Sequence, residues 1–450
     1  MGQDTDPDLS AELTKWALSH GASIDGIAAH AFPGRGLGII AQRRLEAGET
    51  ILKVPTSLLR TESSLPDHLQ SLAQEECSVN GLLALDVSLD NPSFSTSTSA
   101  PHSLWRSTLP SLSAMKSSMP LFWRPEAQDL LPPPGLALLR KQQAKLHRDW
   151  TAVCERGVVV APQGLSLEQY IYRWLLVSTR TFYYTPEAAA AAAPSSKPRP
   201  PKSKSQRRRR RSKSNPKPPQ PRPADDCLAI VPFGDFFNHT AGTQTVKATY
   251  SASGYDFVMT GPHAVAAGTE LFISYGSHSN DFLLVEYGFI LPDGDNAHDT
   301  LLLDDVVLAL FSPEQTAVLD AAGYLGNYVL GAITGSSGGN GGNDNDDEAN
   351  DDDAEVVCYR TTTALRLLCM PLRRWKRGLS CGFDHGDAFQ APLNDLVTKV
   401  LRTYIDMAGE KIQHVFRLDE ASFADQKDVL TRRWGQILAL LTAATNRIRI

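Results

Sequence analysis

The sequence predicts an α+β protein in which two groups of short strands are separated by a helical stretch and followed by a helical tail. Three observations predict it. Apolar residues follow a strand period, broken by glycine turns, in 34–55 and again in 227–276. Between these stretches, and from about Asp299 onward, the apolar period is that of helices. The chain has 450 residues and 42% hydrophobic content, enough for two or three compact units with ordinary cores.

The elements follow in order. Residues 8–20, DLSAELTKWALSH, read as a helix, because Leu9, Leu13, Trp16 and Ala17 recur at helical spacing and Gly21 stops the run. In GRGLGIIAQRRLEAGETILKVP (34–55), Ile39–Ala41 and Ile51–Val54 are strands joined by the turn Glu46–Glu49. The stretch 66–185 is mostly helical, with helices expected over Glu126–Leu131, Leu136–Arg156 and SLEQYIYRWLLVSTRTFYY (166–184). Strands resume with CLAIVPFGDFFNHT (227–240), TVKATYS (245–251), YDFVMTG (255–261) and ELFISYG (270–276). Each strand group is too short to stand alone, so the two are expected to pair across the helical stretch.

Charge divides the chain. Residues 186–224 carry twelve Lys/Arg against one Glu, and residues 335–355 carry eight Asp/Glu with no Lys/Arg. With a formal net charge of −6 overall, everything outside these two tracts is acidic, at −9. A basic protein segment therefore suits the folded part better as a partner than nucleic acid does. Both tracts are too polar to offset the entropy of ordering and are expected to be disordered. The six Cys form no Cys-x-x-Cys pair and no His is spaced for zinc, so no metal site is expected; buried thiols in a reducing compartment are. No apolar run reaches the ~18 residues of a membrane span, and MGQDTDPDLS is not a signal peptide, so an intracellular soluble protein is expected.

Three motifs carry chemistry. In PGRGLGII, glycines at 34, 36 and 38 miss the dinucleotide spacing, because Ile39 stands where the third glycine belongs and a strand follows instead of a helix. The alternatives are a strand-entry turn or a loop whose bare backbone meets a ligand. In VPFGDFFNHT, Asp235, Asn238 and His239 follow an apolar strand; they are too few for a metal, and the chain has no Gly-x-Ser-x-Gly elbow for a hydrolase. In AGTELFISYGSHSNDFLLVEYGF (267–289), Tyr275-Gly276 and Tyr287-Gly288 stand twelve residues apart, with Phe289 beside the second pair. These rings suit either an aromatic core or a narrow channel that excludes water and favours a cation.

The order GRGLG, NH, ELFISYG, YGF resembles that of the SET-domain methyltransferases. The branch it resembles contains the Rubisco large-subunit lysine methyltransferase, the yeast ribosomal-protein lysine methyltransferases and the actin-histidine methyltransferase. SLWRSTLPS, PLFWRPEAQDLL, LLVSTRTF and SNDFLLVEYGF look like further signatures of that branch, and the resemblance spans about 10–310. It implies a SET fold of small β-sheets with a pseudoknot, split by a helical insert, followed by an all-α C-terminal substrate-binding domain. The implied boundaries are SET core 10–65, helical insert 66–185, disordered basic insertion 186–224, SET core 225–291, and a helical domain 299–450 holding the acidic loop 335–355.

The resemblance also implies S-adenosyl-L-methionine (SAM) as methyl donor and a basic protein segment presenting a lysine as substrate, in a ribosomal or other abundant non-histone protein. It implies cofactor binding by Arg35, Gly36, Leu37, Arg180, Asn238, His239, Tyr287 and Phe289, with Arg180 reaching the SAM carboxylate. Thr179 and Asp235 line the substrate side, and Tyr275 is the catalytic tyrosine that orients the amine. Thr179 stands where the branch usually has Ser. Histidine methylation and a non-catalytic protein-binding module are the alternatives. A monomer in nucleus or cytoplasm is expected, with 202–213 able to serve an import receptor or touch RNA.

Overall fold

A computed structural model describes residues 7–70, 77–89, 105, 108–155, 165–185, 227–331, 356–382 and 388–448. The basic tract 186–224 and the acidic tract 335–355 lie outside them. The chain divides into two compact units. The first takes Met1–Pro110, Ala144–His239 and Thr243–Ser274; the second takes Ser111–Gln143, Thr240–Gly242 and Tyr275–Ile450. Stretch 66–185 therefore contributes to both units, because Trp123, Ala127, Leu130, Leu131 and Leu139 join the core built by the C-terminal helices.

The first unit opens with the helix Pro7–Ser19 and holds three small sheets. One has the order β1-β4-β10-β9, from Ser23–Ile24 (β1), Thr50–Pro55 (β4), Gly254–Met259 (β10) and Val246–Ser251 (β9), all antiparallel. Another is β2-β3-β11-β8, from Ile27–Phe32 (β2), Gly36–Ala41 (β3), Glu270–Ile273 (β11) and Asn238–His239 (β8). The third, β5-β7-β6, comprises Arg60–Thr61 (β5), Leu228–Ile230 (β7) and Thr181–Tyr183 (β6).

The expected pairing across the helical stretch holds in every sheet: β4 with β10, β3 with β11, β5 with β7. Both strands of the first pair bury apolar side chains: Tyr255, Phe257 and Met259 from β10, and Ile51, Leu52 and Val54 from β4. In the second sheet β11 runs antiparallel to β3 and parallel to β8, setting Phe272 opposite Asn238 and Ile273 opposite His239.

Three expectations need correction. The helix read over 166–184 stops at Ser178, and Thr181–Tyr183 is a strand on β7; its β-branched and aromatic residues gain more from that edge than from another helical turn. The tail is not purely helical, since Leu301–Leu302 (β12) pairs with Val329–Leu330 (β13). All six cysteines are free, but only Cys77 is buried, and Cys154 and Cys381 are exposed.

In the second unit, Leu393, Val397, Val400, Leu401, Tyr404 and Ala408 form one face of the helix Gln390–Arg417. That face belongs to the same core as Phe423, Leu430, Trp434, Ile437 and Leu441 of the helix Glu420–Ile448. Trp434 Nε1 donates to Leu130 O at 2.8 Å and Trp375 Nε1 to Thr363 O at 2.8 Å, so each buried indole keeps a hydrogen bond.

One buried carboxylate organises the helices of the first unit. Asp149, 1% exposed, accepts from Ser78 N at 2.8 Å, Ser78 Oγ at 2.7 Å and Trp174 Nε1 at 2.8 Å. Asp149→Ala orphans these donors and is expected to destabilise the first unit by about 2–4 kcal/mol, measured by chemical denaturation, with Asp149→Asn losing less.

Candidate functional site

The residues implied by the resemblance fall in both units: Arg35, Gly36, Leu37, Thr179, Arg180, Asp235, Asn238 and His239 in the first, Tyr275, Tyr287 and Phe289 in the second.

In the first unit two clusters form. Arg35 enters β3 just ahead of Gly36 and Leu37, and its guanidinium pairs with Glu270 (Nη2–Oε2 2.7 Å) while lying over the Phe32 ring. Glu270 Oε1 also accepts from Asn238 Nδ2 at 2.8 Å. Glu270 thus joins two residues singled out in the sequence, yet was not among them itself. Gly38 leaves room for the cluster, because a Cβ there would lie 2.7 Å from Asn238 Nδ2 and 2.9 Å from Glu270 Oε1. His239 is buried next to Asn238 in β8.

The second cluster centres on Asp235, whose side chain is fully buried. It accepts from Trp105 Nε1 at 2.8 Å and from Arg180 Nη1 at 3.3 Å, and Arg180 Nη1 also donates to the Asp235 carbonyl at 3.2 Å. Trp105 is the tryptophan of SLWRSTLPS. Among the described residues, Arg180 Nε and Asp235 Oδ1 are buried with no hydrogen-bond partner. Phe233, two residues before Asp235, holds φ 70° and ψ −37°, rare for a bulky side chain and a sign of strain built in beside this cluster. The Thr179 hydroxyl is committed to Leu175 O at 2.8 Å, capping the end of its own helix.

In the second unit the paired tyrosines come together. The rings of Tyr275 and Tyr287 are 4.9 Å apart at 36°, and that of Phe289 lies 6.3 Å from Tyr287. Tyr287 is the last residue of the helix Asn280–Tyr287, which starts at the N-cap Ser279. The glycine after each tyrosine has φ above zero, +131° at Gly276 and +79° at Gly288, so each turns the chain sharply past its ring. Burial, with Glu286 adding to it, pushes the Tyr287 phenol up to about 12, so it keeps its proton at any physiological pH. No group of residues able to hold a metal ion occurs among the described residues, and no helix among them is long and apolar enough to cross a membrane.

Burial raises the Asp235 carboxyl above its ordinary value of 3.8, against the lowering pull of Arg180 and Trp105. A carboxyl with a raised folded value contributes most below 3.8 and loses that contribution as pH rises through the folded value. Asp235→Asn, which does not ionise, is therefore expected to gain stability relative to the native chain as pH rises from about 4, read from denaturant titrations across that window.

No protein-family model matches the chain. Among curated proteins, it is 24% identical to SET domain-containing protein 4 of Homo sapiens over 97% of this chain and 90% of that protein. It is 24% identical to the actin-histidine N-methyltransferase of Drosophila melanogaster over 70% of this chain and 56% of that protein. It is 31% identical to the ribulose-1,5 bisphosphate carboxylase/oxygenase large subunit N-methyltransferase of Pisum sativum over 22% of each. The fold matches Rubisco LSMT bound to AdoMet with a TM-score of 0.60 at 14% identity, over 98% of this chain and 91% of that one. It matches the SET domain of LSMT bound to lysine and AdoHcy at 0.58 and 15%, over 98% and 91%. The α+β architecture is thus the SET fold, and the sequence is similar to those of SET-domain proteins and of protein methyltransferases.

Proposed function

We propose that this chain transfers a methyl group from SAM to a lysine side chain of a protein substrate. The observation that carries the reading is the aromatic cluster of Tyr275, Tyr287 and Phe289, with the two tyrosine rings 4.9 Å apart. Similarity to ribosomal lysine N-methyltransferase 2 of Saccharomyces cerevisiae, 31% identical over 22% of this chain, supports the lysine assignment.

The residues fit SAM. Arg180 Nε is a buried donor without a partner among the described residues, suited to a carboxylate, and Gly36 has open space where a Cβ would stand. When bound, SAM supplies an electrophilic methyl on a sulfonium. Asn238 and His239 bind and orient it, and Glu270 holds Asn238 in place through its 2.8 Å bond.

A lysine ammonium has no lone pair, and its ordinary value near 10.4 must fall before it attacks. Exclusion of water disfavours its charge, and a neighbouring cation disfavours it further. The Tyr275 hydroxyl accepts a hydrogen bond from the amine and aims the nitrogen lone pair. The chain needs no strong base of its own once the neutral amine is selected, so positioning supplies most of the rate.

Ribosomal or other abundant proteins with basic segments are the proposed substrates, suited to the −9 charge outside the two tracts. The proposed site of action is nucleus or cytoplasm, with import through the stretch 202–213.

Two variants separate binding from chemistry. Tyr275→Phe is expected to cut kcat by on the order of 10²-fold with SAM affinity held within about threefold. Asn238→Ala is expected to weaken SAM binding by about 10- to 100-fold by calorimetry. Full turnover by Tyr275→Phe would remove that tyrosine from the chemistry.

A further inference from the structure

Resting on the reading of Tyr275 above, we propose that His278 is a positioning residue that holds Tyr275 through its backbone. His278 Nε2 lies 3.2 Å from the Tyr275 carbonyl oxygen. A carbonyl only accepts, so the contact selects the ring form that carries hydrogen on Nε2. The peptide it holds is the one before Gly276, which has φ +131°. A glycine in that region leaves the peptide freer to rotate than any other residue would, and rotation there carries the Tyr275 ring with it. The imidazole adds a restraint on that peptide.

The ring is itself held by two contacts, and its backbone by a third. It stacks on Phe282 with centroids 4.0 Å apart and planes at 13°. It presses against Gly276 so closely that a Cβ there would meet Nε2 at 2.4 Å. The carbonyl of His278 accepts from Asn296 Nδ2 at 3.1 Å, and the same amide nitrogen donates to Asn280 Oδ1 at 2.9 Å. Asn280 is anchored in turn by Asp299 and Gln436. Burial depresses the His278 basicity, the Tyr275 carbonyl opposes that, and His298 adds to the depression. Both the neutral Nε2–H ring and the protonated ring keep the donor, so the tether does not depend on pH.

The geometry separates the two functions of the ring. His278→Phe keeps the stack on Phe282 and removes the donor, whereas His278→Gln places an amide N–H where Nε2 stood. The test uses the full chain labelled with fluorotyrosine, in which the Tyr275 resonance among the 12 tyrosines is identified by its loss in Tyr275→Phe. His278→Phe is expected to shift or broaden that resonance and to lower kcat by about 3- to 10-fold, the worth of one net hydrogen bond, with KM for SAM within about twofold. His278→Gln is expected to restore both. Should His278→Phe not fold, Phe282→Leu, which frees the ring, is expected to move the same resonance.

A Tyr275 resonance unchanged in the folded variants, or a loss of kcat that Gln does not rescue, overturns the proposal. A native chain that transfers no methyl group overturns the proposed function instead, while the fluorine resonance still decides the positioning.

Discussion

A buried guanidinium holds together the part of the fold that carries the paired tyrosines. Arg433 is 0% exposed and is met by Asp281 at 2.8 Å and Asp299 at 2.7 Å. Neither carboxylate is tolerable there without the cation, nor the cation without them, because an unpaired charge in that interior costs several kcal/mol. Burial pulls Asp299 up toward its protonated form, against the opposing pull of Arg433, while the two carboxylates drive Arg433 up. Asp281 is the second residue of the helix that ends in Tyr287, and Asp299 accepts from Asn280 N at its start. The ionic cluster therefore fixes the beginning of the helix and, through its rigid two turns, the phenol at its end.

The same segment links the cluster to Tyr275. Asn280 bonds Gln436 and Asn296, and Asn296 bonds the His278 carbonyl. Both tyrosines are thus suspended from one buried polar network whose cation and carboxamide come from the C-terminal helix Glu420–Ile448. Networks of this kind specify one arrangement when every member is satisfied, and here the specified arrangement is two phenols in contact.

Local signals made much of this legible in the sequence. The strands at 39–41, 51–54 and 270–273 are short apolar runs, and the turns between them carry glycine, so composition and punctuation agreed. The tyrosine pair was legible because Tyr-Gly occurs twice at a fixed spacing in one continuous segment. Glu270 and Arg433 were not, because each acts on a partner far away in the chain: Glu270 on Arg35, Arg433 on Asp281. Nothing in the run TELF or QKDVLTRRW distinguishes these side chains from solvated ones; burial does. The strand at Thr181–Tyr183 was misread for a related reason, since its helical pattern ran on from a strong helix and only pairing with Leu228–Ile230 overrode it. His278 carries no signal in the sequence, because only the fold brings its ring to the Tyr275 carbonyl.

The central claim is that this aromatic cluster serves methyl transfer to an uncharged lysine amine. The most direct measurement is mass spectrometry of proteins from a lysate incubated with the full chain and isotopically labelled SAM. The expected result is label on lysine Nζ, absent when Tyr275→Phe replaces the native chain. Label on a histidine ring would contradict the lysine assignment, and SAM binding with no label transferred to any protein would contradict the claim as a whole.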